Sequence, residues 1–113
     1  MEITVDHGEA GALVHLNGRL DIDSSPLLRD RLLAMLGEQS MRAVTIDLAK
    51  VSYLDSSGVA TLIEGLKVAR QRGIALRLAG LEGRLLHLFE TTGVLGLFKT
   101  DSAGSATSSS KAS

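Results

Sequence analysis

The sequence contains no cysteine, and this absence removes several classes of function at once. Without a thiol the chain has no disulfide framework, no thiolate zinc site and no cysteine nucleophile. Tryptophan is also absent, and the aromatic residues are limited to Tyr53, Phe89 and Phe98. Single-stranded nucleic acid is held on stacked aromatic rings, so three scattered rings argue against such a platform. The core must therefore be built mainly from aliphatic side chains.

A surplus of charge of either sign is missing as well. The 113 residues carry 12 Lys and Arg against 13 Asp and Glu, a formal net charge of -1. Binding to nucleic acid backbones and polybasic membrane anchoring both need excess basic groups, so we expect no direct contact with nucleic acid and no membrane insertion. No apolar run is long enough to span a bilayer, and acidic residues stand where a signal peptide has basic ones. We expect a cytoplasmic protein.

Hydrophobic periodicity alternates between the strand repeat and the helix repeat along the chain. Predicted strands lie at 3–5, 12–16, 43–48 and 74–78, and predicted helices at 26–36, 59–72 and 82–92. Residues 94–98 are expected to form a short closing strand or to pack irregularly. The predicted fold class is α/β, with a mixed central sheet of about four to five strands covered by about three helices.

Local signals mark where some of these elements begin and end. The two glycines of the segment 8–11 suit a hairpin turn because glycine accepts positive φ angles. Ser25 is expected to cap the first helix, Pro26 fits its first position, and Gly37 ends it.

The last part of the chain differs in composition from the rest. It is rich in serine and contains no large apolar side chain, so it cannot offset the entropy lost on ordering. The sequence therefore predicts a folded domain at 1–100 and a disordered tail at 101–113.

The segment Asp55-Ser56-Ser57-Gly58 lies between an apolar strand end and a helix. Asp55 or Ser56 can cap that helix, and Gly58 permits close backbone approach. A capped helix start is one interpretation and needs no further function. The other is a surface switch, because a phosphate on a serine at a helix N-terminus is tolerated by the helix dipole and adds about -1.5 to -2 charges.

Several segments together match a known pattern: Gly18-Arg19-Leu20-Asp21, Ile46-Asp47-Leu48, Tyr53-Leu54-Asp55-Ser56-Ser57-Gly58, the helix at 59–72, and Leu88-Phe89-Glu90-Thr91-Thr92-Gly93. In these features the chain resembles the STAS domain family, which includes the bacterial anti-sigma-factor antagonists. The resemblance runs from about residue 3 to residue 98. Its specific part is the D-S-S-G segment with its hydrophobic flanks.

The resemblance implies a phosphorylation-controlled protein-binding switch. In such systems the unphosphorylated antagonist sequesters an anti-sigma factor, which is also a serine kinase of the histidine-kinase-like ATPase type, and so frees a sigma factor for transcription. Phosphorylation dissociates the complex, and a phosphatase resets it. The resemblance makes Ser57 the phosphoacceptor, with Ser56 as the alternative. The positions expected to bind the partner are Asp21, Asp23, Asp55, Ser56, Ser57, Gly58 and Val59.

Two other functions remain open. STAS proteins also serve as small regulatory subunits of ABC-type lipid transporters, where the same helix would dock on an ATPase subunit. A self-assembling scaffold of the stressosome kind is the third possibility. Family members typically continue past the last strand into a further helix, and the expected end of this fold after Phe98 departs from that pattern.

Catalytic and metal sites have little support in the sequence. His7, His15 and His87 lie on different predicted elements without a ligand spacing, which favours packing or surface roles. The chain lacks the G-x-S-x-G nucleophile elbow and has no phosphate-binding loop. We therefore expect no catalytic residue, no metal and no cofactor, with the phosphoryl-transfer chemistry supplied by the partner.

Overall fold

A computed structural model of the protein describes residues 1–9 and 11–103, and the side chains of residues 1–9 and 11–98. Four strands form one mixed sheet in the order β1-β2-β3-β4. The strands are β1 (Glu2–His7), β2 (Gly11–Leu20), β3 (Ala43–Leu54) and β4 (Ala75–Ala79). β1 and β2 are antiparallel, whereas β2, β3 and β4 run parallel to one another. The α/β class and the mixed sheet are as the sequence predicts.

Four helices connect and cover this sheet: α1 (Ser25–Leu36), α2 (Ser56–Gln71), α3 (Gly83–Thr91) and α4 (Val94–Ala103). Alternate strand residues such as Val14, Ile46 and Leu76 are completely buried against the helices. The residues between them, on the opposite face of the sheet, are half-buried or exposed. The hydrophobic core therefore lies in a single layer between one sheet face and the helices. Among the described helices, none is both long and apolar enough to cross a membrane.

Helix α4 replaces the strand or irregular packing expected at 94–98. Val94 and Phe98 are one helical turn apart, and both are buried in the core, with α4 packed on β4 and α3. The prediction was wrong because a run of five mostly apolar residues around Gly96 has no helical periodicity of its own. A further helix is therefore present, and it takes in residues 101–103 of the predicted tail. The remainder of that tail, 104–113, lies outside the described residues.

Two local predictions need correction. Ser24, not Ser25, is the N-cap of α1, and Ser25 is buried in the first turn, where its hydroxyl donates to the Asp21 carbonyl.

Gly8 and Gly11 join β1 to β2, but neither has a positive φ. Gly11 is required for space instead, because a Cβ there would collide with the Ala43 carbonyl of β3. Gly37 ends α1 as predicted.

Candidate functional site

The candidate site lies where two neighbouring parallel strands end together. Leu20 at the end of β2 is paired with Leu54 at the end of β3. Asp55, which directly follows β3, donates its backbone N–H to the Leu20 carbonyl over 3.3 Å. Because the strands are parallel, Asp21 and Asp55 both leave the sheet at its carboxyl edge. This edge is where open α/β sheets commonly bind ligands.

The Asp55 side chain caps helix α2. Its Oδ1 accepts the backbone N–H groups of Ser57 at 2.9 Å and Gly58 at 3.1 Å. Asp55 has extended backbone angles, and the helix begins at Ser56. Of the two caps that the sequence allows, Asp55 is the one used. The carboxylate thus takes up two N–H groups that a helix N-terminus would otherwise leave free.

Gly58 holds the start of α2 tightly against the ends of both strands. A Cβ atom at this position would lie 2.6 Å from Leu54 Cδ1 and 2.7 Å from the Leu20 carbonyl oxygen. Glycine is therefore needed for space at a position with ordinary helical φ. The close approach that the sequence suggests at Gly58 is present.

The two serine hydroxyls are presented differently. Ser56 is exposed and Ser57 is half-buried. Within the described part of the chain, neither hydroxyl makes a hydrogen bond, so neither is held by the fold. A phosphate added to Ser57 would find the N–H groups of Ser57 and Gly58 already bonded to Asp55. Its charge would therefore remain on the surface beside a carboxylate rather than be neutralised by the helix start.

Asp21 organises the turn between β2 and α1. Its carboxylate accepts the backbone N–H groups of Asp23 at 3.0 Å and Ser24 at 3.2 Å, and Arg19 Nε lies 3.4 Å away. Burial acts to raise the pKa of Asp21, but these hydrogen bonds outweigh it and leave the pKa below its ordinary value. Asp21 is thus an ionised residue with a structural role in the turn.

Asp21 and Asp23 share this turn, and the Asp55–Gly58 segment forms the adjoining helix start. The two groups meet through the backbone bond between Asp55 and Leu20. Among the described residues, no hydrogen bond or ion pair joins their side chains directly. The structure therefore brings the predicted residues to one edge of the sheet as two neighbouring clusters.

Exposed apolar residues border this edge of the sheet. They are not among the positions that the sequence predicts to bind a partner. Ile22 is 70% exposed and Leu27 is 48% exposed, on the turn and the first helix next to Asp21 and Asp23. Ile22 could have been found as an apolar residue between two aspartates, outside any helical or strand repeat.

A groove of about 430 Å³ opens beside Ser56. It lies between α2 and α3, and its apolar walls include Val59, Ile63 and Leu88. We call it the α2–α3 groove. Its lining could not be read from the sequence because it joins residues of two helices separated by a strand.

Comparison with known proteins identifies the family. The family model described as "Mlab, STAS domain" matches residues 3–99. The chain belongs to the STAS domain family. The anti-sigma-B factor antagonist of Bacillus subtilis is 36% identical over 96 residues, which cover 83% of this chain and 86% of that protein. The antagonist of Listeria monocytogenes is 35% identical over 81 residues, or 72% of this chain and 70% of that protein.

Solved structures agree on the STAS fold. The anti-sigma factor antagonist SpoIIAA in its unphosphorylated form has a TM-score of 0.68 at 14% identity, covering 79% of this chain and 82% of that one. An anti-sigma factor antagonist from Mycobacterium paratuberculosis has a TM-score of 0.72 at 22% identity, covering 86% and 81%. Part of the murine anion transporter Slc26a9 has the same fold, with a TM-score of 0.69 at 17% identity over 80% of this chain and 15% of the transporter.

Another polar cluster of this STAS domain lies on the open face of the sheet. His15 on β2 bridges two aspartates, with Nδ1 3.1 Å from Asp47 on β3 and Nε2 3.0 Å from Asp6 on β1. The Asp47 and Asp6 carboxylates raise the pKa of His15. His7 and His87 are exposed and lie on other elements. Among the described residues, no group of three or more His, Cys, Asp or Glu side chains is arranged so that it could hold a metal ion.

Proposed function

We propose that this STAS domain is a phosphorylation-controlled antagonist of an anti-sigma factor. The observation that carries the proposal is the D-S-S-G helix start at the carboxyl edge of the sheet, where Ser56 is exposed and Ser57 is half-buried. Relatives named anti-sigma-B factor antagonists, 32–36% identical over 72–83% of the chain, support it. In this proposal the chain binds its partner and so frees a sigma factor, and it performs no chemistry of its own.

Ser57 is the residue that switches the interaction. Its hydroxyl is neutral, and its backbone N–H donates to the Asp55 carboxylate that caps α2. A phosphoserine there carries about -1.5 to -2 charges and brings strong acceptor oxygens. In the bound complex the phosphate would lose water and would lie near the Asp55 carboxylate. The cost of removing that water and the repulsion between the two negative charges both lower the affinity for the partner. The unphosphorylated form is therefore the binding form, and Ser56 is the alternative acceptor.

The partner contacts the surface around this serine. Asp21, Asp23 and Asp55 supply carboxylates, and Ile22 and Leu27 supply exposed apolar side chains beside them. Apolar anchors ringed by charged groups are common in protein interfaces. Val59 and the α2–α3 groove extend the same surface along the helix. Such a surface suits a partner with apolar pockets and a basic rim.

All of the phosphoryl-transfer machinery is assigned to the partners. The anti-sigma factor is proposed to be a serine kinase of the histidine-kinase-like ATPase type, and a separate phosphatase restores Ser57. Both encounters would take place in the cytoplasm.

The proposal is tested by affinity capture from a lysate of the native organism. The wild-type chain is compared with Ser57→Asp and Ser57→Ala, and with Ser40→Asp, which adds the same charge in the exposed loop before β3. Mass spectrometry should find an ATP-binding serine kinase with the wild type, Ser57→Ala and Ser40→Asp, but not with Ser57→Asp. Incubation of that kinase with ATP should label the wild type and leave Ser57→Ala unlabelled.

Other outcomes have definite meanings. Phosphate on the same peptide of Ser57→Ala would assign the modification to Ser56. Capture of a transporter ATPase equally by the wild type and Ser57→Asp would replace the proposal with the transporter-subunit function. Light scattering that shows large assemblies of the chain alone would favour the scaffold function.

A further inference from the structure

A second cavity adjoins the α2–α3 groove. It has a volume of about 600 Å³ and opens between the last part of β3 and helix α3. We call it the β3–α3 cleft. It shares only Leu54 and Leu88 with the lining of the α2–α3 groove. Its size falls within the range of small-molecule sites.

The path of the chain between β4 and α3 leaves this cleft open. Gly80 has φ +73°, and a Cβ there would lie 2.6 Å from the Ala49 nitrogen and from Asp47 Oδ1. The chain therefore passes close over β3 at a point where only glycine fits. Helix α3 then packs on α4, and the last part of β3 lines the cleft together with α3.

The floor of the cleft is apolar. Leu48, Val51 and Leu54 of β3 contribute buried side chains, and Leu85 and Leu88 of α3 are half-buried opposite them. Phe89 is the α3 side chain that is fully buried in the core. The parts of Leu85 and Leu88 that remain accessible line the cleft, where a ligand of matching shape would remove them from water.

The rim of the cleft carries polar groups, of which Arg84 is the most informative. Arg84 and His87 project from α3, and Ser52 and Tyr53 lie across from them on β3. Among the described residues, no carboxylate forms an ion pair with Arg84. The carboxylate that lines the rim is that of Glu82, which does not bond to the N–H groups of the helix start.

We propose that the β3–α3 cleft binds a small amphipathic anion, with one carboxylate at Arg84 and an apolar body on the leucines below. An arginine matches the two oxygens of a carboxylate. The Glu82 carboxylate at the same rim disfavours multiply charged ligands such as polyphosphates. This site is separate from the Ser57 switch, and its existence does not depend on the partner of that switch.

The test is a titration of the ¹⁵N-labelled full chain with 2-naphthoate, followed by NMR. The uncharged isostere 2-naphthamide serves as the matched ligand. Shift changes for naphthoate should concentrate at 48–54 and 80–88, and the amide should bind at least about tenfold more weakly, as expected for loss of one charge-assisted hydrogen bond. Arg84→Gln should weaken naphthoate binding to a similar degree, while Arg31→Gln, which removes an exposed arginine of α1, should not.

Several results would overturn the proposal. Equal affinity for naphthoate and naphthamide would show that the polar rim does not discriminate between a charged and an uncharged ligand. Unchanged affinity in Arg84→Gln would show that Arg84 is not the anion contact. Shifts confined to Val59 and Ile63 would move the ligand to the α2–α3 groove. Absence of localised shifts at millimolar ligand would show that the cleft does not bind this class of molecule.

Discussion

The backbone of Gly58 lies directly against the carbonyl oxygen of Leu20, and a Cβ atom at Gly58 would sit 2.7 Å from that oxygen. The contact joins the start of α2 to the end of β2, so it fixes how the Ser57 segment meets the sheet. The backbone of Leu20 cannot move aside as a flexible side chain can. A side chain at Gly58 would therefore displace the start of α2, which affects both the stability of the fold and the position of Ser57.

Gly58→Ala is expected to destabilise the protein. The new methyl group must push α2 away from Leu20 and Leu54, which costs about 1–3 kcal/mol of the free energy of unfolding. In a domain of this size each kcal/mol lowers the Tm by roughly 4–8 °C. Gly37→Ala is the control, since its Cβ would meet the Ala34 and Leu33 carbonyls at 3.5 Å, an ordinary contact. Equal Tm values for the two variants would contradict the close packing at Gly58.

Asp55 variants separate capping from charge. Asp55→Ala loses the acceptor for the Ser57 and Gly58 N–H groups, and unfolding free energy should fall by about 1 kcal/mol. Asp55→Asn keeps an acceptor oxygen and should stay near the parent in stability, because both residues are good N-caps. Urea titrations monitored by circular dichroism measure both. If Asp55→Asn loses as much as Asp55→Ala, the negative charge itself stabilises the helix start.

Phe98 tests whether α4 belongs to the folded domain. Its side chain is 3% exposed in the core, whereas Leu97 beside it is 41% exposed. Phe98→Ala should cost about 3–5 kcal/mol, a large part of the stability of a small domain. Leu97→Ala should change stability by less than about 0.5 kcal/mol. Similar small losses for both substitutions would mean that the last helix adds little to the core.

His15 is expected to make stability depend on pH. Its pKa is raised by Asp47 and Asp6, so protonated His15 stabilises the folded state below its unfolded pKa of about 6.5. That contribution is lost as the pH rises through the higher folded pKa. A hydrogen bond from the Ala49 N–H, helped by His15, lowers the pKa of Asp47. The stabilisation from Asp47 is present above its unfolded pKa of about 3.9 and is lost as the pH falls through the folded pKa.

Because of these two pKa shifts, His15 and Asp47 contribute most to the stability of the folded state between about pH 4 and 6.5. His15→Gln should therefore lose more stability relative to the parent at pH 5.5 than at pH 8.5. Urea midpoints of both proteins at the two pH values measure the difference. The effect should be modest, because the ring is 40% exposed and solvent screens the interaction. The same loss at both pH values would show that His15 acts through packing or neutral hydrogen bonds.

Much of the fold follows from short-range patterns. The alternation around Val44 and Ile46 predicts a buried strand, and the spacing of Leu62 and Leu66 predicts a helix with one buried face. The cap of α2 is limited to Asp55 or Ser56 by sequence alone, because a capping side chain acts on N–H groups only two and three residues away, and the structure selects Asp55. The position of Ser57 in the first turn of α2 needed no knowledge of the rest of the chain.

Other features depend on which distant segments come together. Asp21 lies near Asp55 because two strands 34 residues apart in sequence, counted from Leu20 to Leu54, pair in parallel. The bridge from His15 to Asp6 and Asp47 depends on the register of three strands. Both arrangements come from strand pairing, which periodicity along one strand does not specify.

The sequence by itself determined the α/β class, the order of the first seven elements and the capped serine at the start of α2. These rest on local propensity, periodicity and capping, which operate within a few residues. Only the tertiary structure decided that Val94 and Phe98 form a helix, that Gly11 is needed for space, and that a cleft remains beside α3. Each of these features depends on the space that remains when segments distant in sequence pack together. The free energy gained by burying a side chain in that space is fixed only by this packing.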